Sequence, residues 1–140
     1  MAIHAAPGRI CAVTDAAACA GMPPGRYLLG GEPIELPPGE GEPPVRDDGT
    51  LAGSTLRMDA AVANLVTAGV GLAEAVAAGS RVPADLIGRP DLGRIAPGAA
   101  ADLTWLDDDL RARATWIGGE LVYSRAGRPG SPARAEGGSG

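Results

Sequence analysis

One short apolar run constrains this chain more than any other feature. Arg9-Ile10-Cys11-Ala12-Val13 shows no polar–apolar alternation and stops at Thr14 and Asp15. Such a run predicts a strand buried on both faces, as in a parallel sheet, with Thr14 and Asp15 at its C-terminal end. A strand of that kind has parallel neighbours on each side, and nothing else in the 140 residues supplies them.

The remainder of the chain has a different character. Tyr27-Leu28-Leu29 and Glu32-Pro33-Ile34-Glu35-Leu36 predict a hairpin around Gly30-Gly31. The stretch from Pro37 to Pro44, rich in Pro, Gly and Glu, reads as a mobile tip. Ser54 or Thr55 can cap a helix that places Met58, Val62, Leu65 and Val66 on one face and ends at Gly69. A second helix from Leu72 to Ser80 turns Leu72, Ala75 and Val76 to one side. A short third, Ala84 to Ile87, starts after Pro83 and closes at Gly88. Strands are then expected at Ala101–Leu106, Ala114–Ile117 and Glu120–Tyr123, with Gly118-Gly119 as a two-residue turn. From Arg125 to Gly140, Gly, Ser, Pro and Arg dominate, and a disordered tail is expected.

The chain contains no Phe and only 3% aromatic residues, so Ala, Val and Leu must form the core. Its net charge is −5, every basic residue is Arg, and no basic stripe exists, which argues against a nucleic-acid partner. The longest uncharged stretch, Ala60 to Ala73, is shorter than the roughly 20 apolar residues of a membrane span. Met1 to Gly8 lacks the pattern of a secretion signal. With Cys11 and Cys19 as the only cysteines, reduced thiols and a cytoplasmic location are expected.

Three segments carry a resemblance: Val13-Thr14-Asp15-Ala16 with Ala20-Gly21-Met22-Pro23 and Gly25-Arg26-Tyr27; Asp48-Gly49-Thr50-Leu51-Ala52-Gly53-Ser54; and Gly93-Arg94-Ile95-Ala96-Pro97-Gly98 with Ala101-Asp102-Leu103. In this order and spacing they resemble the N-acetylglucosamine-6-phosphate deacetylases of the amidohydrolase superfamily, from about Ile3 to Tyr123. The third segment is common to many amidohydrolases, while the first two are more specific. Departures exist: Ala17 stands where the family often has Met, Cys19 where Ala or Pro is usual, and Pro24 replaces a common Asp.

The resemblance implies an α/β fold: the C-terminal part of a (β/α)8 amidohydrolase barrel, with its last strand and helices, plus strands of the small accessory β-sandwich. Residues 1–88 would belong to the barrel, 89–124 to the sandwich and 125–140 to the tail. A whole barrel needs about 200 residues or more. The implied parent reaction converts N-acetylglucosamine 6-phosphate and water to glucosamine 6-phosphate and acetate. Asp15 takes the role of catalytic acid/base, and Leu51, Ala52 and Gly53 map onto positions that contact the sugar. Without the resemblance, an Asp at a strand end is more often a loop or helix cap, and Asp-Gly-Thr-Leu-Ala-Gly-Ser a helix-entry turn. Asp102 reads as a turn or strand-edge residue and Asp107-Asp108-Asp109 as a solvated turn, because successive side chains on an extended strand diverge.

The family uses a divalent metal, zinc or iron, but this chain has one histidine, His4, outside any matching motif, so no metal ligands are assigned to it. The residues that hold the sugar phosphate in the family, including an arginine from a neighbouring subunit, also lie on segments upstream. The expected partners are therefore a sugar phosphate and a separate chain carrying the rest of the barrel, in a family that forms homo-oligomers. The chain alone is expected to be inactive. Two other readings stand beside this one: a fragment of a different amidohydrolase, acting for example on cyclic amides, and a non-catalytic remnant that binds a sugar phosphate or a partner chain.

Overall fold

The computed structural model describes residue 6 and residues 8–126. Among the described residues six strands and three helices follow one another: β1 (Gly25–Leu29), β2 (Glu32–Leu36), β3 (Val45–Arg46), α1 (Met58–Thr67), α2 (Leu72–Ala78), α3 (Arg81–Leu86), β4 (Leu103–Leu106), β5 (Ala112–Ile117) and β6 (Glu120–Ser124). The strands form two antiparallel three-stranded sheets, β1-β2-β3 and β4-β5-β6. Among the described residues no helix is long and apolar enough to cross a membrane.

The segment from Arg9 to Asp15 is not the buried strand that its apolar run predicts. It forms no ladder, and Val13 is 75% exposed. Parallel pairing requires neighbours, and the described residues offer only an isolated parallel bridge between Ala16 and Ser54. Ile10 and Ala12 instead pack against a cluster of Val62, Val70, Ala75 and Ala78, and the Ala12 amide donates to the Ala78 carbonyl at 2.8 Å.

Both hairpins form where glycine pairs make them possible. Gly30 and Gly31 have φ of 62° and 91°, and Gly118 and Gly119 have φ of 57° and 83°, the left-handed pair that a two-residue turn requires. The register sets Tyr27 opposite Ile34, and Ile34 opposite Arg46. Ile34 and Leu36 therefore face inward, onto a second cluster with Cys19 and Ala52, against which Ala17, Tyr27 and Leu29 pack. The brief β3 lies just after the Pro37–Pro44 stretch, where the sequence predicts no element. It pairs because the Arg46 amide donates to Thr50 and the Ala52 amide to Pro44, folding the chain back on itself.

α1 is favoured by its alanines and by apolar residues at helical spacing. Its N-cap position is Arg57, not Ser54 or Thr55, because the Ser54 hydroxyl is engaged elsewhere, donating to the Thr14 carbonyl and accepting from the Leu56 amide. α2 ends at Ala78, two residues short of expectation, and buries Ala75 and Ala78 while Leu72 and Val76 stay largely exposed. The small side chains lie against the Ile10–Ala12 segment, which a larger residue would push away. α3 begins at Arg81, before Pro83, since proline is tolerated in a first turn whose N–H groups have no helical acceptor.

One buried charge joins the two halves. Asp59, on the inner side of α1 and 8% exposed, accepts from the Ala112 amide of β5 at 3.0 Å and from the Ala60 amide at 2.8 Å, and pairs with the Arg57 guanidinium. These donors hold its carboxyl at about 2, below the ordinary 3.8, the Arg57 hydrogen bond being the largest cause. Arg125, placed in the tail by composition, instead continues the last sheet, donating from its amide to Arg113 and from its guanidinium to Asp107. The remainder of that expected tail, from residue 127, lies outside the described residues.

Candidate functional site

The site begins with the backbone of Asp15. Its φ is 53°, a left-handed conformation that Asp tolerates better than most residues. The preceding threonine supports the bend, its hydroxyl lying 3.3 Å from the Ala16 amide. Three further bonds strap this corner to the loop before α1: the Ser54 amide donates to the Asp15 carbonyl (2.8 Å), the Ala17 amide to the Ser54 carbonyl (2.9 Å), and the Ser54 hydroxyl to the Thr14 carbonyl (2.5 Å). The Asp15 side chain is left exposed at the corner.

The loop it meets is built by Asp48. That carboxylate accepts from the Thr50 amide at 2.9 Å, closing an Asx turn, and the backbone hydrogen bond lowers its pKa. Gly53 comes next, with φ of 94°, and a Cβ there would lie 2.8 Å from the Asp15 carbonyl oxygen. Only glycine allows the two segments to lie this close. Gly53→Ala is therefore expected to destabilise the chain by about 2 kcal/mol. A urea midpoint measurement checks this, with loss of the Ser54 and Ala17 amide protection as the local sign.

Asp15, Leu51, Ala52 and Gly53, the candidates from the sequence, line one cleft of about 250 Å³ together with Ala16, Ala17, Leu29 and Arg46. Leu51 is exposed and Ala52 is buried, so Ala52 offers backbone while Leu51 offers side chain. A carboxylate at the edge of a cleft floored by small residues can exchange a proton with a ligand that lies flat on that floor. Arg46 is a cleft residue that the sequence does not mark. Its position just before Asp-Asp-Gly is the available signal, but the register that turns it inward is a product of strand pairing.

The other acidic candidates are structural. Asp102 accepts from the Gly118 amide at 2.7 Å and so holds the β5–β6 turn. Asp107 is not simply solvated: it accepts from the Arg111 amide and pairs with Arg113 and Arg125. Its pKa is lowered first by the Arg111 backbone bond. Cys19 is buried and Cys11 half-buried, both as free thiols. Among the described residues no three His, Cys, Asp or Glu side chains gather to hold a metal ion. The single histidine, His4, lies outside the described residues. The donors among the described residues do not fit a catalytic divalent metal, which takes three or more protein ligands, typically including His.

Comparison with known proteins matches residues 14–122 to the amidohydrolase family. The chain is 53% identical over 76 residues to an N-acetylgalactosamine-6-phosphate deacetylase of Shewanella sp. (strain ANA-3), covering 54% of this chain and 19% of that protein. It is 44% identical over 117 residues to a putative N-acetylgalactosamine-6-phosphate deacetylase of Escherichia coli (strain K12), covering 81% of this chain and 68% of that protein. The crystal structure of the N-acetylglucosamine-6-phosphate deacetylase of Thermotoga maritima superposes with a TM-score of 0.74 at 37% identity, over 85% of this chain and 32% of that one. The chain thus spans less than a third of the Shewanella and Thermotoga proteins. With a family match that includes both Asp15 and the Leu51–Gly53 loop, the chain belongs to the amidohydrolase family, among relatives named as N-acetylgalactosamine- and N-acetylglucosamine-6-phosphate deacetylases.

Proposed function

We propose that this chain supplies the acid/base end of a sugar-phosphate deacetylase site, the rest of which lies on polypeptide outside these 140 residues. In this reading the substrate is N-acetylglucosamine 6-phosphate, lying along Leu51, Ala52 and Gly53. Asp15 accepts a proton from the water that attacks the acetamide carbonyl. It then delivers that proton to the nitrogen as the C–N bond breaks, leaving glucosamine 6-phosphate and acetate. The observation that carries the reading is the shared cleft: Asp15 and the three loop residues, 36 or more positions apart in sequence, meet at one surface.

A second substrate is favoured by the relatives. The 53% and 44% identities are to proteins named for N-acetylgalactosamine 6-phosphate. The proposed roles of Asp15 and the loop are the same for either sugar.

Because its described residues do not fit a metal, the chain by itself is expected to be inactive. The purified chain with zinc and either sugar phosphate should release no acetate above the protein-free blank. Sustained acetate release would overturn the division of the site between this chain and other polypeptide.

A further inference from the structure

Ser54 grips the Asp15 corner on both sides of a single Cα atom. Its hydroxyl donates to the Thr14 carbonyl at 2.5 Å, and its amide donates to the Asp15 carbonyl at 2.8 Å. Those carbonyls belong to the two rigid peptide planes that meet at the Asp15 Cα. The setting of the first plane is φ and that of the second is ψ. A residue that fixes both carbonyls therefore fixes the two soft backbone angles of Asp15.

The angles held in this way are ones that the chain would not adopt freely. With φ at 53°, Asp15 is left-handed, a conformation that crowds the Cβ of an L-residue against carbonyl oxygen. Released, the backbone would relax toward the extended or right-handed regions. That change turns the Cα–Cβ bond and re-aims the carboxylate. The Asp15 side chain is exposed, so its direction is set by the backbone that carries it.

Ser54 is itself anchored. Its carbonyl accepts from the Ala17 amide at 2.9 Å, its hydroxyl accepts from the Leu56 amide at 3.0 Å, and it forms the isolated parallel bridge with Ala16. The side chain does not cap α1, whose N-cap is Arg57, and its hydroxyl is committed to the corner instead. An alanine at this position would keep the backbone bonds and release the Thr14 carbonyl.

We propose that Ser54 is a positioning residue, its hydroxyl holding the Thr14–Asp15 peptide so that the Asp15 carboxylate is presented to the cleft. The inference rests on the deacetylase reading and adds to it a residue that acts only through Asp15. Proton transfer is sensitive to such placement, since a displacement of about 1 Å can cost about 10²-fold in rate.

The test needs a complete site, provided by a chimera in which this chain replaces the matching 32% of the Thermotoga maritima deacetylase. Ser54→Ala should lower kcat for N-acetylglucosamine 6-phosphate by about 10- to 100-fold, with KM changed less than about twofold. In an Asp15→Asn background the same substitution should change kcat by less than about twofold, because no proton carrier is left to misplace. In the 140-residue chain itself, Ser54→Ala should alter the three-bond coupling between the Asp15 amide proton and Hα, which reports φ.

An equal fractional loss of kcat in both backgrounds would show a merely structural serine and overturn the proposal, as would an Asp15 coupling that Ser54→Ala leaves unchanged. Wild-type turnover in Ser54→Ala, with Asp15→Asn strongly impaired, would overturn the role of Ser54 and leave the deacetylase reading in place. Full turnover in Asp15→Asn would remove both. Should Ser54→Ala fail to fold, Ser54→Cys, whose thiol is a weak donor, carries the same comparison between backgrounds with the same deciding outcomes.

Discussion

Asp15→Asn is expected to lower acetate release by roughly 10²- to 10⁴-fold, the range for loss of a positioned general acid/base. The measurement needs a complete site. A chimera serves, in which this chain replaces the matching 32% of the Thermotoga maritima deacetylase. Asparagine keeps the size and much of the hydrogen bonding of the side chain but cannot carry the proton. The loss should therefore fall on kcat, with KM little changed. Folding should be untouched, because the bonds that hold the corner come from the Asp15 carbonyl, Thr14 and Ser54 and not from the Asp15 carboxylate. Turnover equal to that of the parental chimera would remove Asp15 from the proposed mechanism.

The second large effect is on stability. Asp59→Asn is expected to cost about 2 kcal/mol at neutral pH, as judged by urea denaturation. The carboxyl titrates at about 2 in the folded chain, against an ordinary 3.8. A depressed value of this kind contributes stability that is fully present above the ordinary pKa. It is lost as the pH falls through the folded value. The wild type should therefore lose its advantage over the variant between about pH 4 and pH 2, and the two should converge below that window. Asp59→Ala should be worse than Asp59→Asn, since it also leaves the Ala112 amide of β5 without its acceptor, a loss of about 1–3 kcal/mol where the group is buried. A gap between wild type and Asp59→Asn that did not change with pH would show that the carboxylate charge is not what joins α1 to β5.

Local chemistry is legible in the sequence of this chain. Two glycine pairs foretell two hairpins, Gly69 foretells the end of α1, and Asp102, a turn residue by its sequence context, holds the Gly118 amide. The segments Val13–Ala16 and Asp48–Ser54 are legible through resemblance, and they are neighbours in space. Where sequence and structure part, a distant partner decides. The Arg9–Asp15 run has the composition of a buried strand, but strand formation is a property of pairs, and its pair is not among the described residues. Ser54 has the chemistry of a helix cap, but Thr14, 40 residues away, takes its hydroxyl.

Taken alone, the order of residues determined where this chain turns and which stretches coil, and through resemblance it singled out Asp15 and the Leu51–Gly53 loop as candidates. Only the tertiary structure decided that these parts share a cleft with Arg46, and that Asp59 carries its charge into the interior. The physical reason is range: turn and helix preferences act over a few residues of backbone, whereas burial and ion pairing depend on groups brought together from distant positions.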